Sequence, residues 1–241
     1  MLLIIDIGNT RIKAAVFEQD AMRRLEIFPA DEAREKLSVL LKNFSIEAVV
    51  TSATGHDSVD FLLEMGLKVH RVSHDWKLPF INDYHTPHTL GTDRMVLAAG
   101  ATLAYPSANR LVIDAGTCLT YDFVDADGHY KGGAISPGLR MRYRAMNAFT
   151  ARLPELDPEW PQGFIGRSTA ESMHSGAAVG LALEIDGFIS RYLEQSPNFI
   201  IILTGGDAEF LADRLKNRIF ASPDFLMESL NKLYQYQSRH D

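Results

Sequence analysis

An apolar strand that stops at an acid occurs twice in this chain, 108 residues apart. "LLIIDIGNTRIKAAVF" at 2–17 runs into Asp6, then Gly8, Asn9 and Thr10, and the apolar run resumes after Lys13. "LVIDAGTCLTYDFV" at 111–124 runs into Asp114, then Gly116 and Thr117, and resumes in the same way. An acid at the end of a buried strand costs free energy unless something pairs with it. Two such turns at matching places point to two similar halves, each opening with strand, tight turn, strand. The boundary falls in "YPSANR", giving halves of 1–108 and 109–241.

The rest of the pattern is mixed α/β. "ADEAREKLSVLLKNF" places Leu37, Leu40, Leu41 and Phe44 on one helical face. "IEAVVTSA" reads as a strand, "SVDFLLEMG" as a short helix closed by Gly66, and "KVHRVS" as a further strand. A polar loop with Pro79 and Pro87 leads to a helix in "TDRMVLAAGATLAY". Asp127-Gly128 signals a hairpin after the second duplicated strand. "GLRMRYRAMNAFTARL" reads as a helix, followed by the proline-containing loop "PELDPEWPQGFIG". Ser168 and Glu171 have capping-box spacing for a helix running to about residue 195. "FIILTGGDAEFLADRL" closes the pattern as strand, glycine turn, helix.

Two acid-bearing turns suit nucleotide phosphates. Glycine lets the backbone approach a ligand, turn N–H groups form an anion-binding concavity, and the acids hold a cation that neutralises phosphate oxygens. Lys13 adds a positive charge. One such turn alone is an ordinary capped β-turn; two, with "TGGD" after a late apolar strand, favour phosphate. The chain has neither G-x-x-x-x-G-K-[ST] nor G-x-G-x-x-G, so P-loop and dinucleotide classes are excluded.

"HTLGTDRMVLAAGA" is the other candidate. Asp93 and Arg94 stand where a helix begins, and an acid there is stabilised as the carboxylate by the N–H groups and dipole. Asp93 as a cap and Arg94 as a surface charge is the ordinary reading. A positioned carboxylate accepting a hydroxyl proton is the chemical one, and phosphoryl transfer asks for little more than positioning and charge neutralisation. Arg140, Arg142 and Arg144 read as a solvated face, with a place near anions as the alternative, His85 and His88 as loop residues, and Cys118 as a buried, inert thiol.

The net charge of −7 argues against a nucleic-acid surface. The lone cysteine excludes an internal disulfide and a zinc framework of cysteine pairs. No apolar run approaches bilayer-spanning length. Residues 2–5 are too few for a signal peptide's apolar region, so the expected place is the cytoplasm.

Taken together, "DIGNT" at 6–10, "LGTDR" at 90–94, "IDAGT" at 113–117, "GGAISPGL" at 132–139, "IGRSTAESMHSG" at 165–176 and "TGGD" at 204–207 resemble the type III pantothenate kinase family. The order and spacing of all six carry the resemblance, which runs nearly end to end. The 45–80 region matches less well, and "TSATGH" departs from the more usual apolar-proline ending of its strand.

The resemblance implies an α/β fold of two ribonuclease-H-like (actin-like ATPase) domains facing a nucleotide cleft. It implies ATP-dependent phosphorylation of pantothenate to 4′-phosphopantothenate, the first step of coenzyme A synthesis. Asp93 falls on the catalytic acid. ATP phosphates fall on Asp6, Ile7, Gly8, Asn9, Thr10, Arg11, Ile12, Lys13 and Thr117, with "TGGD" near the adenosine. Pantothenate falls on Tyr84, Gly91, Thr92, Asp93, Arg94 and Thr169. Asp114 falls on the ligand of a monovalent cation, potassium or ammonium, and Asp6 would meet magnesium with ATP. The family forms homodimers. Competing readings are a switch ATPase of the actin/Hsp70 class, a sugar or acetate kinase, and a transcriptional accessory factor. "LGTDR" counts against the first, since a switch ATPase needs no acid–arginine pair aimed at a small acidic alcohol.

Overall fold

The computed structural model describes residues 1–8, 11–53, 59–196 and 198–240. The chain forms two compact units. One comprises Met1–Pro106, Gly128–Tyr130 and Asp224–Asp241; the other comprises Ser107–Asp127 and Lys131–Pro223.

In the first unit β1 (Leu2–Ile7), β2 (Ile12–Glu18) and β3 (Ala21–Phe28) form an antiparallel meander. β4 (Ala48–Ala53) and β5 (Val69–Arg71) extend the sheet in parallel from β1, giving the order β3-β2-β1-β4-β5. Strand alternation sorts the side chains. Leu3, Ile5 and Ile7 of β1 pack with Leu37 and Leu40 of helix α1 (Ala33–Asn43), while Ile4 and Asp6 take the opposite face. α2 (Phe61–Glu64) is a single turn closed by Gly66.

The other face carries α3 (Thr92–Ala104) and the C-terminal helix, which pack on each other and on the sheet. A single cut at residue 108 therefore does not describe the units. The C-terminal helix, residues Phe225–His240, buries Phe225, Met227, Leu230 and Leu233 and belongs with the first unit. A short strand, β6 (Ile81–Asn82), pairs with His129 and Tyr130, which bring that tip of chain into the same unit.

The second unit repeats the arrangement. β7 (Asn109–Ala115), β8 (Cys118–Val124) and β9 (His129–Pro137) stand as β1 to β3 do, and β10 (Phe199–Thr204) and β11 (Phe220–Ala221) stand as β4 and β5. β10 runs parallel to β7, as β4 runs parallel to β1. Leu111, Ile113 and Ala115 face a core built with α4 (Leu139–Ala148) and the long helix beyond it. The duplication seen in two turns thus extends to five strands in the same order.

The long helix expected over 168–195 is interrupted. α5 (Thr169–His174) passes through one π-helical turn, Ser175–Val179, into α6 (Gly180–Gln195). Such turns often sit at functional sites. Ser168 accepts the Glu171 N–H at 3.2 Å, as the capping spacing predicts, but the Glu171 carboxylate takes the Arg167 N–H at 2.6 Å, one residue earlier than a capping box requires. α7 (Ala208–Ala212) follows the "TGGD" turn, and the C-terminal helix is α8. Among the described residues no helix is long and apolar enough to cross a membrane.

Candidate active site

In the first unit the turn after β1 is closed by the Gly8 N–H donating to the Arg11 carbonyl at 3.2 Å. Asn9 and Thr10 lie outside the described residues. The side chains of Ile7 and Ile12 are core, so only their backbone is available to a ligand. Arg11 is exposed.

Asp6 is the last acid of β1 and is 9% exposed. Its cross-strand partner on β2 is Lys13, and its partner on β4 is Ser52. Registered residues on neighbouring strands share a face, so Lys13, Asp6 and Ser52 form a row on the face that α3 covers. Burial pushes the Asp6 carboxyl up to about 6; the Lys13 charge opposes the rise and the Asp93 charge adds to it. Asp6, Lys13 and Asp93 therefore share one electrostatic site, although 80 residues separate Lys13 from Asp93.

Asp93 is in the first turn of α3, and its Oδ1 accepts the Arg94 N–H at 2.8 Å. The first-turn placement is as expected: one carboxylate oxygen is tied to the next N–H of the helix, and the group also reaches Asp6 electrostatically. Gly91 makes room for it. A Cβ at Gly91 would lie 2.5 Å from Asp93 Oδ1. Arg94 is not a surface charge. It is 5% exposed, with its guanidinium carbon 5.8 Å from the centre of the Tyr84 ring, a cation–π distance. Tyr84 in turn lies 6.0 Å from the fully buried Tyr130. Thr92 precedes the pair, half-buried.

In the second unit Asp114 ends β7, with Thr120 and Thr204 as its partners on β8 and β10. Gly205 follows Thr204 with φ of +96°, a conformation that favours glycine. A Cβ there would fall 2.3 Å from Asp114 Oδ1, and one at Gly116 would fall 3.2 Å from it. The backbone at both glycines thus passes close to this oxygen, closer than a side chain would allow at Gly205. The Gly116-Thr117 turn exposes Thr117, and the Gly138 N–H donates to the Thr117 carbonyl at 3.2 Å. A Cβ at Gly138 would lie 2.3 Å from the Gly116 carbonyl, which explains why "GGAISPGL" needs glycine beside this turn. Asp207, of "TGGD", has its carboxyl pushed up by burial, with Arg140 opposing.

Thr169 is exposed at the start of α5 and lines a groove of about 690 Å³ with Met146, Leu153, Gly166, Arg167, Ser168, Ser172 and Met173. That lining includes neither Asp114 nor Thr117.

Two readings of single residues are corrected. Arg142 does not share a solvated face with Arg140 and Arg144: it pairs with Glu184 and donates to the Pro137 carbonyl at 3.0 Å, bracing the segment that touches the Thr117 turn. A step of two residues on a helix turns a side chain by about 200° from its neighbour's direction. Cys118 is half-buried rather than buried, because it opens β8 at the turn. Ser52 escaped notice altogether; its signal lies only in the register of β4 against β1.

A family model for type III pantothenate kinase matches residues 2–191. The chain is 53% identical over 244 residues to a type III pantothenate kinase of Flavobacterium johnsoniae, covering 100% of both chains. It is 50% identical over 240 residues to one of Flavobacterium psychrophilum, covering 98% of this chain and 100% of that one. The chain belongs to the type III pantothenate kinase family.

Solved structures agree on the fold. A conserved Campylobacter jejuni protein of the Baf family superposes with a TM-score of 0.67 at 18% identity, over 98% of this chain and 99% of that one. The activator of 2-hydroxyisocaproyl-CoA dehydratase from Clostridium difficile, solved with ADPNP bound, superposes with a TM-score of 0.53 at 12% identity, over 99% and 94%. At such identities the likeness is one of fold, the actin-like ATPase fold.

Proposed function

We propose that this protein transfers the γ-phosphoryl group of ATP to the hydroxyl of pantothenate, giving 4′-phosphopantothenate and ADP. The observation that carries this reading is Asp93. It is held by its own helix start, stands in the field of the buried Asp6, and is followed by an arginine braced on an aromatic ring. In this reading the Asp93 carboxylate accepts the proton as the pantothenate oxygen attacks phosphorus, and ADP leaves. Arg94 pairs with the pantothenate carboxylate. Tyr84, Gly91, Thr92 and Thr169 supply the other substrate contacts. Thr169 fits because the N–H groups of a helix start receive a carboxylate well.

In this reading ATP phosphates lie against Asp6, Gly8, Arg11 and Lys13, the backbone of Ile7 and Ile12, and Thr117; Asn9 and Thr10, outside the described residues, belong to the same proposed set. "TGGD" lies near the adenosine. Magnesium bound with ATP would neutralise phosphate oxygens beside Asp6. No cluster of three acids, histidines or cysteines among the described residues could hold a metal alone, which fits an ion whose shell the nucleotide completes. Asp114, a hard oxygen donor at the end of its strand, is the ligand this reading gives to a potassium or ammonium ion. The protein works in the cytoplasm as a homodimer; Phe149, Phe164 and Ile165, 88%, 71% and 78% exposed, supply apolar surface for it.

The test is ADP release from purified protein with and without pantothenate, in sodium and then in potassium or ammonium buffer. Pantothenate-dependent turnover that rises with potassium or ammonium is expected. Equal turnover without pantothenate would refute the reading.

A further inference from the structure

Ser52 stands in the row Lys13–Asp6–Ser52, fully buried, yet its hydroxyl has no hydrogen-bond partner among the described residues. A buried hydroxyl left unpaired is destabilising, and most such groups find partners. The second unit provides an internal comparison. Its equivalent row is Thr120–Asp114–Thr204. There the Thr120 hydroxyl contacts the Asp122 carboxylate at 3.4 Å and the Thr204 hydroxyl donates to the Pro223 carbonyl at 3.4 Å. The hydroxyl at the same position of the same motif is paired within the fold in one unit and unpaired in the other.

The unpaired one neighbours the acid–lysine pair that shares its field with Asp93. Lys13 supplies a cation, Asp6 an anion, and Ser52 an uncharged donor that can also accept. We propose that Ser52 is a ligand-facing residue of the phosphoryl-transfer site: its hydroxyl, beside Asp6, hydrogen-bonds an oxygen of the bound metal–nucleotide complex. The inference rests on the reading of Asp6 to Lys13 as the ATP turn.

Thr51 supplies the control. Its hydroxyl is also buried and unpaired, at 1% exposed, but alternation along β4 turns it to the face away from Asp6. Binding of magnesium with a non-hydrolysable ATP analogue is measured by calorimetry for wild type, Ser52→Ala and Thr51→Val. Melting temperatures are taken without nucleotide. Ser52→Ala should weaken binding about tenfold, the order expected for one hydrogen bond to a charged ligand. Its nucleotide-free melting temperature should equal or exceed that of wild type, because an unpaired group has been removed. Thr51→Val should bind as wild type. Binding by Ser52→Ala within twofold of wild type would overturn the proposal, as would equal weakening by Thr51→Val. A wild type that turns over ATP without regard to pantothenate would instead overturn the substrate reading and leave this comparison intact.

Discussion

The carboxylate of Asp93 raises the pKa of Asp6. One acid ends a strand and the other begins a helix, and the fold sets them in one field. Like charges held together resist joint ionisation. In the proposed reading a cation arriving with ATP relieves that repulsion.

The pH dependence of ATP use follows. In the proposed reading Asp6 meets the metal–nucleotide complex as a carboxylate, and burial pushes its pKa up to about 6. The kcat/KM for ATP should therefore fall on the acid side with a midpoint near 6. The kcat limb, which reports the loaded enzyme, should lie lower because the bound cation favours the ionised acid. Initial rates at limiting and saturating ATP between pH 5 and pH 8 check this.

Asp93→Asn should fold and still bind ATP. It should lose about 10²- to 10⁴-fold in kcat, the range for removing a positioned general base. Since the like charge is gone, the acid limb for ATP binding should also move to lower pH. Near-wild-type kcat would leave Asp93 with only its capping role.

Much of this site was legible in the sequence, and the reasons differ by residue. Asp6 and Asp114 stood out because an acid interrupting a β-pattern at a glycine turn is a local signal, repeated at a fixed offset. Arg94 was legible as half of a pair but not as a buried group. Its burial depends on Tyr84, Tyr130 and the pairing of β6 with His129 and Tyr130, all distant in sequence. β3 carries Arg23, Arg24 and Glu26 on an edge strand, so no apolar alternation marks it. Ser52 has no signal of its own, since only the register of β4 on β1 brings it beside Asp6. The grouping of α8 with the first unit is likewise a tertiary fact, set by packing against α3.

Asp6→Asn separates stability from function. A carboxyl whose folded pKa lies above its unfolded value of 3.8 binds protons on folding. Its ionisation costs nothing below about pH 4, and the fold loses stability as pH rises through about 6. A rise of about two units corresponds to roughly 3 kcal/mol when fully expressed. Asp6→Asn should therefore be more stable than wild type at pH 8, by up to that order, and nearly equal to it at pH 4. Its use of magnesium–ATP should collapse. Urea unfolding at the two pH values, beside the turnover assay, gives both readouts.

Gly91→Ala tests the space beside Asp93. The new Cβ would meet Asp93 Oδ1 at 2.5 Å, well inside van der Waals contact, so the carboxylate must swing away. Gly91 precedes the helix with φ of −55°, which alanine adopts freely, so backbone strain adds nothing. The expected outcome is a kcat lowered by about 10²-fold, the scale for a catalytic group displaced by about 1 Å, with a melting temperature close to wild type. A large loss of stability with intact kcat would show that the crowding falls on the fold rather than on the acid.

Gly205→Ala tests the close backbone approach to Asp114. Two effects combine there: alanine is strained at φ of +96°, and its Cβ would lie 2.3 Å from Asp114 Oδ1 and 2.5 Å from the Ala115 carbonyl carbon. Backbone strain of this kind costs about 1–3 kcal/mol, so some loss of stability is expected whatever Asp114 does. The informative quantity is the ratio of turnover in potassium to turnover in sodium. If Asp114 holds the activating ion, that ratio should fall towards one in Gly205→Ala, and Asp114→Asn should lower it without the backbone strain. If both variants keep the wild-type ratio, the cation sits elsewhere and the glycine at 205 serves only the close passage of its turn beside Asp114.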